Sequence, residues 1–203
     1  MESLTLYTNP RSRGRIARWM LEETGLPYET VVLDFGPTMK APDYLAINPM
    51  GKVPAVTHGA RVVTECAAIC TYLADAFPQA GLMPDDRASF YRWMFFGAGP
   101  FEAATVDGAL GVTVPPDKRG MVGYGCFEDV IRVLDAQLTA HPYLCGAAFS
   151  AVDVYVGSQI AWGMGFKTVP ETPAFAAYVA RIMARPAAMA AKAKDDALMQ
   201  AQP

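Results

Sequence analysis

The chain has 203 residues, 52% of them hydrophobic, with a net charge of −3. That hydrophobic share suits a packed core and argues against disorder, and the small acidic balance argues against binding dominated by nucleic-acid phosphates, so no nucleic-acid partner is expected. No apolar run approaches the length of a membrane span, so no membrane partner is expected either. Met1-Glu2-Ser3-Leu4 lacks the basic-then-apolar layout of a secretion signal. The four cysteines, Cys66, Cys70, Cys126 and Cys145, show no CxxC spacing, and only His58 and His141 accompany them. No metal is expected, both histidines read as surface residues, and a reducing cytoplasm fits best.

Leu4 to Thr8 reads as a strand, and Thr8-Asn9-Pro10-Arg11-Ser12 as a loop. A helix follows from about Arg13 to Thr24, with Ile16, Trp19 and Met20 at helical spacing. Gly25 ends it, and Pro27 lies just beyond. Tyr28 to Leu33 is a second strand, so the first two strands and their helix form a right-handed βαβ unit. Residues 34–47 form a long connection with one helical turn at Asp43 to Ile47. Ala55 to Thr57 and Arg61 to Val63 form a hairpin around His58-Gly59-Ala60. A helix runs from about Glu65 to Ala76, with Thr64 as its candidate cap, and stops near Phe77-Pro78.

Gly81, Pro84 and two aspartates mark a linker at residues 81–86. After it, only helices are convincing: Ala88 to Leu110, Gly120 to Thr139, Ala151 to Gly163, Pro173 to Ala184, and a shorter one from Ala187 to about Met199. Gly97, Gly99 and Pro100 should kink or break the first of these. Ser150 and Asp153 form a capping box, with Phe149 and Val154 as its staple. The expected organisation is an α/β domain over 1–80 and an all-α domain over 87–203.

Two stretches carry the chemistry. Asn48-Pro49-Met50-Gly51-Lys52-Val53-Pro54-Ala55-Val56 is a turn entering a short apolar strand. Pro54 stands at the strand's entry, where a missing N–H is tolerated. A cis Val53–Pro54 bond would bend the chain and turn the Val53 main chain outward. The second stretch, Glu65-Cys66-Ala67-Ala68-Ile69, opens a helix. Orphan N–H groups at a helix start attract an anion, and the Glu65 carboxylate attracts an amine. One small site could therefore bind both charges of an amino-acid zwitterion.

This pair of motifs, in this order, resembles the glutathione-binding half of the cytosolic glutathione transferases. The run Pro142-Tyr143-Leu144-Cys145-Gly146 with the Ser150/Asp153 box resembles the capping motif of their helical domain. The resemblance is to a bacterial-type, serine-type member. It implies a thioredoxin-like N-terminal domain (βαβ-ββα) and a helical-bundle C-terminal domain. It also implies glutathione as co-substrate, a small apolar electrophile as second partner, a detoxification role and a homodimer. In the family Val53 would bind the cysteinyl backbone beside Pro54, and Glu65 the γ-glutamyl amine. Cys66 stands where the family places a serine, and a thiol donates a weaker hydrogen bond than a hydroxyl. Lys52 is expected at the glycine carboxylate, with Lys40 as a second candidate.

A free thiol has a pKa of about 8.5, and lowering it by two units needs roughly 2.7 kcal/mol of thiolate stabilisation. A hydroxyl donor and a helix N-terminus can supply this. Ser12 is the expected donor, weighed against a role in capping its own helix. Tyr7 and Asn9 are the alternatives, with core packing and turn formation as their competing roles. Arg11 and Arg13 favour an electropositive mouth, whereas Arg15 and Arg18 read as a solvated face with Glu22 and Glu23 as partners. Two further functions stay open: a non-catalytic binding or stress-response regulatory protein, and a glutathione-dependent peroxidase or isomerase using the same site.

Overall fold

The computed structural model describes residues 2–201. Four strands, β1 (Leu4–Thr8), β2 (Glu29–Val32), β3 (Ala55–His58) and β4 (Arg61–Thr64), form one sheet in the order β2-β1-β3-β4. β1 runs parallel to β2 and antiparallel to β3, and β4 pairs antiparallel with β3. Helix α1 (Gly14–Thr24) connects β1 to β2, α2 (Pro42–Leu45) lies in the long connection, and α3 (Cys66–Ala76) follows β4. This is the expected βαβ-ββα arrangement.

The packing follows from strand alternation. Leu4, Leu6 and Thr8 on one face of β1 are buried, while Thr5 and Tyr7 on the other are half-buried. α1 lays Ile16, Ala17, Met20 and Leu21 into the core, and α3 adds Ile69, Cys70 and Leu73. On the second face, Leu33, Met39, Tyr44 and Ala55 make a smaller cluster against which Tyr7, Ile47 and Val53 pack.

The helical segments after the sheet are α4 (Arg87–Phe96), α5 (Glu102–Ala109), α6 (Phe127–Ala140), α7 (Ala151–Gly165), α8 (Pro173–Met183) and α9 (Pro186–Ala201). The expected interruption near Pro100 is a π-helical stretch, Gly97–Phe101, joining α4 to α5. The helix expected from Gly120 begins later, at Phe127. Gly120, Gly123 and Gly125 are poor helix formers, each costing about 1 kcal/mol relative to alanine, and residues 116–121 form a 3₁₀ turn instead.

The chain divides into two compact units, and the division differs from the expected one at its end. Residues 82–183 form the helical unit, around Phe90, Trp93, Phe101, Leu134, Val156, Phe175 and Tyr178. The chain from Ala184 onward belongs instead with the sheet unit, because α9 packs along α1.

That packing also corrects the expectation for the arginines of α1. Arg18 is buried, and its Nε donates to Asp195 Oδ1 of α9 at 2.8 Å. Arg15 Nη2 donates to Asp196 Oδ1 at 2.8 Å. Lys194 bonds to Glu22, and Arg185 makes two 2.7 Å bonds to Glu23. The polar stripe of α1 is the seat of the last helix, not a solvated face.

In the helical unit the capping box is present at the start of α7. Ser150 N–H donates to Asp153 Oδ2 at 2.9 Å. Asp153 also accepts from Leu144 N–H and Tyr178 Oη, both at 2.9 Å. The box is more central than a surface cap: Ser150, Asp153 and Tyr178 are all buried.

Candidate functional site

Sheet register brings the sequence motifs together. Tyr7 pairs with Ala55, and Ala55 pairs with Thr64. β1 ends beside that row, β3 begins in it, and β4 ends in it. The loop Asn9–Ser12, the Val53–Pro54 step and the Glu65–Cys66 step therefore leave the sheet at one edge. Cys66 Sγ donates at 3.7 Å to the carbonyl of Arg13, the residue between this loop and α1.

The loop after β1 is held by its own side chains. Asn9, buried, donates from Nδ2 to the Leu33 carbonyl at 2.8 Å and accepts from Arg11 N–H at 2.9 Å. Ser12 Oγ donates to the Asn9 carbonyl at 2.7 Å and accepts from Gly14 N–H at 2.9 Å. The Ser12 hydroxyl thus sits at the mouth of α1 and takes the N–H of that helix's first residue, the competing role weighed for it. Gly14 lets α1 start hard against the end of β1, since a Cβ there would lie 1.9 Å from Thr8 Oγ1. Tyr7 packs its ring against Tyr44 at 5.7 Å between centroids, within the second-face cluster. Asn9 and Tyr7 are both engaged in holding the fold at this edge.

The second segment is a rigid turn. The Val53–Pro54 bond is cis. The Lys52 carbonyl accepts from Tyr44 Oη at 2.6 Å and from Asn48 Nδ2 at 2.7 Å. Burial pushes the Tyr44 phenol up to about 12, so it stays a donor at neutral pH. Gly51 has φ +57°, and a Cβ there would meet the Met39 carbonyl at 2.6 Å. Lys40 Nζ donates to the Met50 carbonyl at 2.9 Å, so its ammonium braces this turn. The Lys52 side chain is exposed, Val53 half-buried and Pro54 buried.

The third segment differs from expectation in one detail. Thr64 ends β4, and the residue preceding α3 is Glu65, at φ +67° and ψ +124°. Few L-residues adopt that conformation, and it costs about 1–3 kcal/mol. Glu65 is exposed, and the next residue, Cys66, the first of α3, is buried. Cys70, one turn on, is fully buried, and burial pushes its thiol up.

Among the described residues, no group of three or more His, Cys, Asp or Glu is placed to hold a metal ion. His58, expected at the surface, is tucked in: its Nδ1 lies 2.7 Å from Tyr72 Oη, and its ring packs on Phe77. Of the described helices, none is long and apolar enough to cross a membrane.

Two features escaped sequence reasoning. Tyr44 and Asn48 set the Lys52–Val53 peptide, and only Asn48 lay within the recognised motif. Arg15 Nε donates to the Pro10 carbonyl at 2.6 Å, inside the Ser12 loop.

Comparison with known proteins agrees with this geometry. Residues 2–75 match the model of the glutathione S-transferase N-terminal domain, and residues 128–186 that of its C-terminal domain. Glutathione S-transferase GST-4.5 of Xanthomonas campestris pv. campestris is 31% identical over 170 residues, covering 78% of this chain and 82% of the relative. The theta-class glutathione S-transferase of Xanthomonas axonopodis pv. citri, solved with glutathione bound, superposes with a TM-score of 0.74. It is 30% identical, with 94% of this chain and 97% of that one covered. A glutathione transferase from Methylococcus capsulatus superposes with a TM-score of 0.77 at 28% identity, covering 95% of this chain and 98% of that one. With both domain models matched in order and these relatives aligned over most of their lengths, the chain belongs to the glutathione S-transferase family.

Proposed function

We propose that this glutathione transferase binds glutathione at the shared sheet edge and ionises its thiol. The thiolate then forms a C–S bond to a small apolar electrophile. The thiol proton leaves to solvent, and the electrophile either takes up a proton after addition or expels a leaving group with its electron pair. The observation that carries this reading is the convergence of the Ser12 loop, Val53–Pro54 and Glu65–Cys66 at one edge of the sheet.

In this reading the Val53 main chain pairs with the cysteinyl backbone of glutathione. Glu65 takes the γ-glutamyl amine, and Cys66 with the α3 N–H groups takes its carboxylate. Lys52 meets the glycine carboxylate. Lys40 acts on that end by bracing the turn. Ser12 turns its hydroxyl from the Asn9 carbonyl to the thiolate, a stronger, charged acceptor. The protein works in the cytoplasm as a homodimer with a detoxification role, as the family resemblance suggests.

A second reading, a binding or regulatory protein, draws on one observation: the Ser12 hydroxyl already has an acceptor in the Asn9 carbonyl. Calorimetric titration with glutathione, with thiolate absorbance read in parallel, separates the two. The enzymatic reading expects binding by the wild type, a large loss in Glu65→Ala, and binding without thiolate in Ser12→Ala. Binding without thiolate in the wild type would favour the regulatory reading. No binding at millimolar glutathione would overturn the site.

A further inference from the structure

We propose that the C-terminal helix α9 holds the thiol loop in its working geometry through Arg15, a positioning residue that bridges the Pro10 carbonyl and the Asp196 carboxylate. This rests on the reading of the Asn9–Ser12 loop as the thiolate site.

Arg15 sits in the first turn of α1. Its Nε donates to the Pro10 carbonyl at 2.6 Å, and its Nη2 donates to Asp196 Oδ1 at 2.8 Å. Met199 Sδ lies 2.9 Å from the same Nη2. A guanidinium is a rigid plane, so fixing one edge on α9 fixes where the other edge can hold a carbonyl. Lysine has one nitrogen at the end of a flexible stem and cannot span both partners in this way.

The Pro10 carbonyl belongs to the peptide between Pro10 and Arg11. On one side of it, Asn9 presents the carbonyl that holds the Ser12 hydroxyl. On the other, Arg11 N–H bonds Asn9 Oδ1. Asn9 Nδ2 ties the loop's first residue to Leu33. The loop's middle is tied by Arg15, so its orientation is set from α9 as well as from the sheet.

The other end of the bridge is well anchored. Asp196 also accepts from Lys192 Nζ at 2.6 Å. Just before it along α9, the Arg18–Asp195 and Lys194–Glu22 pairs seat the helix on α1, and the Arg185–Glu23 pair does the same at the residue preceding the helix. The hydrogen bond from Lys192, and next that from Arg15, hold the Asp196 carboxyl below its ordinary value. The bridge therefore stays charged across the neutral range. A residue 181 positions from Arg15 in sequence thus stands one side chain away from the thiol loop.

The test uses the full chain with glutathione and a standard aromatic electrophile, and reads kcat, KM and the pKa of the bound thiol. Asp196 is partly exposed, so Asp196→Ala should fold with a nearly unchanged melting temperature. Loss of the bridge should lower kcat about tenfold, because small misplacement of a reacting group is costly. The bound thiol should titrate about one unit higher, with KM for glutathione within twofold. Asp196→Asn keeps an acceptor oxygen for Arg15 and should recover most of the loss. In a Ser12→Ala background, Asp196→Ala should add no further shift.

Wild-type thiol pKa and kcat in Asp196→Ala would overturn the proposal. So would an equal shift in the Ser12→Ala background, since the effect would then bypass the hydroxyl. If Ser12→Ala alone leaves the thiol pKa unmoved, the donor assignment fails, a result separate from the response to Asp196→Ala.

Discussion

Arg18 and Asp195 meet 2.8 Å apart with side chains only 3% and 1% exposed, one from the first helix of the chain and one from the last. Arg18 Nη1 also reaches Tyr28 Oη at 3.2 Å and Thr30 Oγ1 at 3.3 Å. Removing one partner of such a pair leaves the other charge uncompensated inside the protein. Asp195→Ala should lose about 3–5 kcal/mol of stability. The double variant Arg18→Met with Asp195→Leu should stand close to the wild type, since an apolar pair of similar volume avoids both desolvation costs. Urea denaturation of the single and double variants checks this, and equal loss in both would contradict it.

The Ser12 oxygen accepts from the first N–H of α1, and the proposed function also makes it the thiolate donor, so its removal should be felt twice. Ser12→Ala should raise the pKa of bound glutathione toward the free value near 8.5. Because Gly14 N–H loses its acceptor, the same change should also cost about 0.5–2 kcal/mol of stability. Ser12→Thr keeps the hydroxyl and should preserve stability better than activity. An alanine variant with an unchanged melting temperature would remove the capping role.

Glu65 combines an exposed carboxylate with a left-handed φ of +67°. Glycine adopts that conformation without steric cost. Glu65→Gly should therefore gain about 1 kcal/mol, after the greater entropy of its unfolded chain is counted. The same variant should bind glutathione far more weakly than the wild type. Thermal unfolding and calorimetry on one sample read both effects. A variant less stable than the wild type would show that the backbone conformation there costs little.

Cys145 is partly enclosed beside the α7 cap, and burial pushes its thiol from 9.0 up to about 11. At pH 8 its thiolate fraction falls about hundredfold relative to an ordinary cysteine, so alkylation there should slow by a similar factor. The folded-state pKa lies above the unfolded one. The fold's preference for the neutral thiol is thus complete below about pH 9 and is lost as pH climbs through 11. Cys145→Ser should flatten the alkaline part of the stability curve. Rapid alkylation at pH 8 would contradict the assignment.

Much of the sheet unit was legible from short-range pattern. Pro54 at a strand entry, Gly51 in the turn before it and Glu65 at a helix start each carry a local geometric demand. Those demands recur at fixed spacing, which is why the motifs could be recognised. The capping box was legible for the same reason, since Ser150 and Asp153 lie three residues apart. Its burial was not, because that depends on Tyr178 arriving from α8.

The arginines of α1 mark the other limit. Periodicity placed Arg15 and Arg18 on a polar stripe, and a polar stripe alone reads as solvent-facing. Only the folded chain shows that α9 covers it and that Asp195 and Asp196 neutralise it. The sequence alone determined the order of strands and helices, the family of the fold and the candidate residues, because each depends on neighbours a few positions away. Tertiary structure decided which hydroxyl faces which carbonyl, which charges are buried in pairs, and to which unit the last helix belongs. The charge pairs between α1 and the chain's last segment join residues more than 150 positions apart, and no local propensity selects among the partners that could meet there.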